Sequence, residues 1–171
     1  PYVDRCSDCE HIGNEGRATR ESVGVTEISN FAKYEVTGAG ARDWLNHLMT
    51  NTMPRQGRIV LTPMLNDNGK IIGDFTIGNL STATRDRYMI WGSIAAQRYH
   101  MRWFEQHLPD DGSVSIKALG MRLVGLSIAG PKARDVLEKL TPEDVSAKAF
   151  PSMAFRELDL ASVPAKAGRL Y

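Results

Sequence analysis

One acidic side chain interrupts an otherwise apolar stretch, and it is the first candidate for chemistry in this sequence. Asp74 lies in the segment NGKIIGDFTI, residues 68–77, whose other residues are typical of a buried β-strand. Burying a charge without a partner is costly. Asp74 therefore either faces water, as most isolated strand carboxylates do, or has a specific function. Periodicity alone leaves both possibilities open.

The two cysteines have the spacing of metal ligands or of a redox pair. Cys6 and Cys9 form a single C-x-x-C near the start of the chain, with His11 close by. A zinc site needs a second Cys or His pair at suitable spacing, and a redox motif of this kind belongs beside a βαβ unit. The sequence supplies neither, so a metal or redox role is not favoured.

Two glycine-containing turns resemble phosphate-binding loops. Gly38-x-Gly40 follows a predicted strand and opens a predicted helix, as in a dinucleotide fingerprint. The third glycine position is Asp43, whose negative charge opposes binding of a pyrophosphate at a helix N-terminus. Gly130 and Pro131 also join a strand to a helix, but without the Lys-Ser/Thr pair of a phosphate loop. Steric needs of tight turns explain both glycine positions.

Three histidines fall on predicted helices. His47 and His100 have no neighbouring carboxylate or cysteine at ligand spacing, and His107 reads as a helix-end residue that favours the helix dipole. The pattern therefore does not predict a catalytic histidine.

Hydrophobic periodicity predicts the elements that position these residues. Strands are predicted in NFAKYEVTG, GRIVLTPML, KIIGDFTIGNL, YMIWG, SVSIKAL and RLVGLSIAG, and helices in AGARDWLNHLMTN, SIAAQRYHMRWFEQHL and PKARDVLEKL. NDNG joins two of the strands as a hairpin, Ser93 is a candidate helix cap, and FRELDLASVPAKAG gives a weaker strand signal. The order predicts an α+β fold with a mixed, largely antiparallel sheet and packed helices.

Alternation along the second hairpin strand predicts which residues share a face. Ile72, Asp74 and Thr76 fall on one face, and the more continuously apolar face carries Ile71, Gly73, Phe75 and Ile77. Gly73 fits either a close approach of a ligand or a β-bulge.

Composition limits the classes of partner. In 171 residues, 42% are apolar and 24% charged, which is ordinary for a globular domain, and the net charge is +1. Without a basic field, neither nucleic acid nor an anionic membrane is expected as a partner, and a small molecule is favoured. No apolar run approaches the ~18 residues of a membrane span, and the N-terminal stretch lacks a secretory signal. We expect a cytoplasmic protein, or a mitochondrial matrix protein if the source is eukaryotic.

The motifs together resemble a known family. In order and spacing, GVTEISNFAKYEVTGAGARDWLNHLMTN, GRIVLTPMLNDNGKIIGDFTI, YMIWGSIAAQRYHMRWFEQHL and LSIAGPKARDVLEKL resemble the folate-binding aminomethyltransferases. That family includes the T-protein of the glycine cleavage system and the folate domains of dimethylglycine and sarcosine dehydrogenases. The resemblance runs from about Gly24 to Arg169. Residues 1–23 are predicted to be an irregular lead-in, because the start of the chain is polar and shows no clean periodicity. The resemblance implies a first lobe of the folate-binding domain over 24–120 and a truncated start of the second lobe over 121–171.

The resemblance also implies site residues. The family's Asp-Asp pair falls on Gly73 and Asp74, so only the second aspartate, the residue credited with assisting one-carbon transfer, is kept. A carboxylate suits that task because it can accept a proton from an amine or stabilise its positive charge. The folate-binding positions implied are Asn51, Leu61, Thr76 and Ser93. Leu61 stands where the T-protein has an aromatic residue, and Ser93 where it has asparagine.

The implied function is tetrahydrofolate-dependent one-carbon transfer. The donor would be an N-methyl amine such as dimethylglycine or sarcosine, and the product 5,10-methylenetetrahydrofolate. FAD is expected only if an oxidase domain or subunit lies outside this chain, because these residues hold no FAD fingerprint. The alternative is a non-catalytic folate-binding or regulatory module, related to the iron–sulfur cluster maintenance proteins of the same fold. Their Lys-Gly-Cys-Tyr motif would fall where this chain reads AKAGRLY, without cysteine.

Overall fold

Five antiparallel strands form the central sheet, and they occupy the segments where the alternating pattern predicts strands. The computed structural model describes residues 8–170. The strand order across this sheet is β3-β4-β5-β2-β6, and every neighbouring pair is antiparallel. The strands are β2 (Ala32–Thr37), β3 (Ile59–Leu65), β4 (Ile71–Asn79), β5 (Arg87–Gly92) and β6 (Ser115–Ala118). The predicted α+β class with a largely antiparallel sheet is confirmed.

Two smaller antiparallel sheets and four helices complete the described part of the chain. One small sheet pairs β1 (Gly24–Glu27) with β7 (Leu126–Ala129), and the other pairs β8 (Phe155–Leu160) with β9 (Val163–Gly168). The helices are α1 (Cys9–Glu21), α2 (Ala41–Leu48), α3 (Gln97–Gln106) and α4 (Ala133–Leu140). The β8–β9 hairpin corresponds to the weak strand signal in FRELDLASVPAKAG.

The N-terminal segment differs from the expectation of an irregular lead-in, because Cys9–Glu21 forms helix α1. None of its residues is buried, so no apolar stripe marks the helix in the sequence. Local bonds support it instead: Arg17 donates to Asn14, and the Thr19 hydroxyl donates to the Glu15 carbonyl. Cys9 is exposed, and Cys6 lies outside the described residues.

The β3–β4 hairpin closes through the predicted NDNG turn. Gly69 has a φ of +73°, a conformation that glycine adopts without steric cost. The Asn66 side chain accepts hydrogen bonds from the backbone N–H groups of Asn68 and Lys70, at 3.0 and 2.9 Å. Local hydrogen bonding of this kind is what favours asparagine in turns, and it fixes the register of the two strands.

One face of the central sheet is packed under α2 and α3. Phe104 of α3 lies at the centre, fully buried, with ring centroids 5.4 Å from Tyr34, 5.9 Å from Trp44 and 5.8 Å from Phe75. Such tilted and edge-to-face pairs add to the free energy gained by burying the rings. Burial raises the pKa of Tyr34 to about 12. This aromatic cluster is the main hydrophobic core.

The opposite face of the sheet is covered only in part, by the start of β8 and by Leu119 and Leu123. Phe155 is 1% exposed and packs edge-to-face on Trp91 of β5, with centroids 5.4 Å apart. Arg87 also joins the sheet to this hairpin, because its guanidinium contacts Glu35 at 2.8 Å and Glu157 at 3.0 Å. Ion pairs this exposed contribute little stability, so the buried Phe155 contact contributes more to this attachment than Arg87 does.

The glycine-containing turns have the steric role that we expected. Gly38 has a φ of +124° and Gly130 a φ of +115°, and a Cβ at either would meet backbone oxygens, of Ser113 and of Ser22 respectively. Ser93 is not the cap of α3, and this expectation was wrong. A turn in which the Gln97 N–H donates to the Ile94 carbonyl comes first, so the helix begins at Gln97 with Ala96 at the cap position.

Candidate functional site

The partly uncovered face of the sheet carries three of the five predicted site residues. Leu61 of β3 pairs with Thr76 of β4, which pairs in turn with Trp91 of β5. Leu61 is 57% exposed, and Thr76 and Trp91 are half-buried. Asp74 lies two residues before Thr76, and so on the same side of its strand. We call the surface formed by Leu61, Asp74, Thr76 and Trp91 the open face.

The carboxylate of Asp74 is exposed to solvent. It makes no hydrogen bond or ion pair with any residue from 8 to 170. Its cross-strand partner is Pro63, whose carbonyl is turned outward to accept from the backbone N–H of Thr50 at 3.1 Å. Proline is tolerated at this edge strand because its missing N–H would face away from β4. Both carboxylate oxygens of Asp74 are therefore available to a ligand.

The remaining two predicted residues flank the open face. The Asn51 side chain donates to the Leu61 carbonyl at 2.7 Å, and its backbone N–H donates to the Thr62 hydroxyl at 3.0 Å. Asn51 thus holds the edge of β3. Ser93 is exposed and directly follows β5, one residue beyond Gly92. The structure therefore brings Asn51 against Leu61 and leaves Ser93 at the end of the neighbouring strand.

A β-bulge in β4 changes the predicted division of faces. Met64 pairs with Gly73, but Leu65 pairs with Ile71, so Ile72 is an extra residue in β4. Ile72 is buried with the main core instead of sharing the exposed side of Asp74, and Ile71 is 72% exposed instead of belonging to the apolar face. A bulge shifts the alternation of side chains by one residue, and this shift is why the simple period fails at the start of β4.

Sequence reasoning missed a buried histidine beneath this bulge. His100 of α3 is 1% exposed, and its Nε2 lies 3.3 Å from the carbonyl oxygen of Ile72. Its ring packs edge-to-face on Phe75, with centroids 4.7 Å apart. Burial lowers the pKa of His100, while the Ile72 carbonyl and the Asp74 carboxylate act in the opposite direction. No local sequence signal marks this contact, because it joins two distant elements.

The lowered pKa of His100 makes stability depend on pH. The unfolded chain takes up a proton near the usual histidine pKa of about 6.5, whereas the folded chain does so only at lower pH. Since the unfolded state then binds more protons, the free energy of unfolding should fall as the pH drops below about 6.5. Urea unfolding of the wild type and of His100→Gln between pH 7.5 and 5.5 measures this, and the pH dependence should be weaker in the variant. Equal slopes would contradict it.

The space beside Gly73 predicts a second stability effect. A Cβ at this position would lie 2.5 Å from His100 Nε2 and 3.0 Å from the Phe75 ring. Gly73→Ala should therefore lower the free energy of unfolding by about 1–3 kcal/mol, the usual cost of overpacking. Gly16→Ala in α1 is the matched control, since nothing lies within 4 Å of its Cβ and alanine favours helices. Chemical denaturation should give opposite signs for the two variants.

Two surface clefts occur elsewhere. One, of about 280 Å³, includes His47, Trp103 and His107 in its lining, and the other, of about 340 Å³, lies along β8 and β9. Neither lining includes Asp74, whose carboxylate lies beside apolar surface on the open face. Among residues 8–170, no group of three or more His, Cys, Asp or Glu could hold a metal ion.

Comparison with known proteins identifies the family of this chain. The GCVT N-terminal domain family model matches residues 2–170. Human mitochondrial dimethylglycine dehydrogenase is 31% identical over 171 residues, which cover 99% of this chain and 19% of that protein. An aminomethyltransferase of Alcanivorax borkumensis is 35% identical over 130 residues, covering 74% of this chain and 34% of that enzyme. The chain thus spans about a fifth to a third of these relatives.

A solved structure has the same fold. The glycine cleavage system aminomethyltransferase T from Bartonella henselae superposes with a TM-score of 0.71 at 20% identity, over 83% of this chain and 37% of that one. No helix within residues 8–170 has the length and apolar character needed to cross a bilayer. On the near-complete match to the family model, this chain belongs to the GCVT N-terminal domain family.

Proposed function

We propose that this chain forms the part of a tetrahydrofolate-dependent one-carbon transferase that supplies its catalytic carboxylate, Asp74. The observation that carries the proposal is the position of Asp74, which is exposed and unpaired among the described residues, beside Leu61, Thr76 and Trp91. The family membership agrees with this function. The division into a first lobe over 24–120 and the start of a second over 121–171 is part of the same proposal.

The residues of the open face fit a reduced pterin. Leu61 offers exposed apolar surface, and the half-buried Trp91 adds an aromatic ring in the same row of the sheet. Thr76, between them, can donate or accept a hydrogen bond. Ligand sites commonly combine apolar walls with a few placed polar groups. Trp91 supplies the aromatic character that Leu61 lacks, from a neighbouring strand.

Asp74 would assist transfer in two ways. Bound tetrahydrofolate supplies the two nitrogens that capture the one-carbon unit. Condensation of an iminium carbon with two N–H nitrogens and departure of the neutral amine product would release one proton, which Asp74 would be placed to accept. The fixed negative charge of Asp74 would also stabilise positive charge on the reacting nitrogens. A ligand bound over the open face would strengthen both effects, because fewer waters would then screen the charge of Asp74.

Dimethylglycine and sarcosine are the donors that we propose, with 5,10-methylenetetrahydrofolate as the product. The name of the human relative, dimethylglycine dehydrogenase, supports this class of amine. The oxidation would need an FAD-bearing domain or subunit outside these residues. Human and rodent relatives carry a mitochondrial name, which supports the mitochondrial matrix for a eukaryotic source, with the cytoplasm proposed for a bacterial one.

Product analysis of the full-length protein tests this function. With dimethylglycine or sarcosine and an electron acceptor, the protein should form 5,10-methylenetetrahydrofolate from added tetrahydrofolate faster than free formaldehyde condenses with tetrahydrofolate without enzyme. Amine oxidation that gives 5,10-methylenetetrahydrofolate no faster than this uncatalysed condensation would contradict the proposal. If tetrahydrofolate binds and neither amine is converted, the non-catalytic folate-binding module is the better description.

A further inference from the structure

The β4 bulge determines where Asp74 points. Because Ile72 is inserted between the pairs Leu65–Ile71 and Met64–Gly73, the alternation of side chains before the bulge is out of step with the regular alternation from Gly73 onward. The shift directs Ile72 into the core and leaves Asp74 on the open face. In a regular strand Ile72 and Asp74 would lie on the same side. Either Ile72 would then be exposed, or Asp74 would face the core. The bulge is therefore a structural condition for the position of Asp74.

A side chain of α3 contacts the backbone carbonyl of Ile72, the extra residue in the bulge. His100 Nε2 lies 3.3 Å from the Ile72 carbonyl oxygen, and the imidazole is buried. A carbonyl oxygen only accepts hydrogen bonds, so Nε2 must carry the proton and donate. His100 Nδ1 has no partner among residues 8–170, so the Ile72 carbonyl is the single hydrogen-bonding contact that fixes the ring.

The surroundings of the imidazole fit it closely. Gly73 leaves room for the ring, because a Cβ there would lie 2.5 Å from Nε2. Gly92 of β5 leaves room for Phe75, which packs against His100. Among charged and titratable groups, Asp74 of β4 acts on His100 electrostatically, and Tyr99 of α3 has its ring centroid 6.2 Å away. Burial lowers the pKa of His100 and so favours the neutral imidazole.

We propose that His100 is a positioning residue for Asp74: its Nε2–H holds the Ile72 carbonyl, stabilises the bulge and so directs the carboxylate to the open face. The catalytic part of this inference rests on the proposed function. The geometric part does not, because the bulge and its contact can be measured without turnover. A small displacement of a reacting group can lower a rate by about 100-fold, so loss of this contact should affect transfer rate more than ligand affinity.

Two amide substitutions in the full-length protein separate positioning from packing. In His100→Gln the side-chain amide reaches the place of Nε2 and can donate to Ile72, whereas in His100→Asn it reaches only the place of Nδ1. Hydrogen exchange of the peptide covering residues 71–76 should be faster in His100→Asn and near wild type in His100→Gln. The kcat for tetrahydrofolate-dependent product should fall about tenfold or more in His100→Asn, with KM for tetrahydrofolate within about threefold, and His100→Gln should retain most of it.

Hydrogen exchange and formation of the folate product distinguish a wrong positioning role from a wrong proposed function. If wild-type protein forms no folate product, the proposed function fails, while faster exchange confined to residues 71–76 in His100→Asn would still support the role of His100 in the bulge. If both variants exchange like wild type in this peptide, the positioning role is wrong. Equal kcat values for His100→Asn and His100→Gln, with wild-type exchange in both, would likewise overturn it.

Discussion

Replacing Asp74 by asparagine in the full-length protein is expected to lower kcat for tetrahydrofolate-dependent transfer by about 100- to 10,000-fold, the range expected for loss of a general base. Asparagine keeps the size of the side chain but has no negative charge and cannot accept the released proton. Asp74 is exposed, and the substitution breaks no hydrogen bond or ion pair among residues 8–170. Asp74→Asn should therefore lower kcat without changing the free energy of unfolding.

Asp67→Asn is the matched control for this experiment. Asp67 is an exposed carboxylate in the turn of the same β3–β4 hairpin, outside the open face. It should keep wild-type kcat and KM for tetrahydrofolate, so that any general effect of removing one negative charge is measured. Product assays over a range of tetrahydrofolate concentrations separate the two constants. An Asp74→Asn variant with wild-type kcat would remove Asp74 from the mechanism.

Truncating Phe104 is expected to have the largest effect on stability. Its fully buried ring contacts Tyr34, Trp44 and Phe75, so Phe104→Ala would leave a cavity where the helices meet the sheet. Substitutions of this kind lower the free energy of unfolding by about 3–5 kcal/mol. Urea unfolding of the 171-residue chain, followed by circular dichroism, measures the change.

Phe31→Ala provides the comparison for Phe104→Ala. Phe31 is 46% exposed, so removing its ring should change the free energy of unfolding by less than about 1 kcal/mol. Near-equal values for the two variants would mean that Phe104 does not lie in the packed core. A wild-type m-value in both would support comparing them as two-state transitions.

The central sheet and its helices could be predicted because each carries its own local pattern. The β3–β4 hairpin combines alternating apolar residues with a turn that Asn66 and Gly69 stabilise locally. Helices α2 and α3 follow from apolar residues at helical spacing, which the structure buries against the sheet. In these segments local preference and tertiary packing agree, so sequence reasoning is sufficient.

Two kinds of feature could not be predicted from the sequence. Some depend on contacts between residues that are distant along the chain, and one, helix α1, buries none of its residues. Helix α1 has no buried face and therefore no periodic signal. The bulge at Ile72 depends on the register against β3 and on His100, which is 28 residues away along the chain. Trp91 reaches the open face only because β5 pairs with β4. The apolar context in the sequence marks Asp74 as a candidate, whereas its neighbours on the other strands can be identified only from the fold.

The most direct test of the central claim is a structure of the full-length protein with tetrahydrofolate bound. The claim predicts the pterin on the open face, in contact with Leu61 and Thr76, with a reacting nitrogen within hydrogen-bond reach of the Asp74 carboxylate. A pterin bound away from this face, for example in the cleft beside His47 and Trp103, with Asp74 remote from it, would contradict the claim.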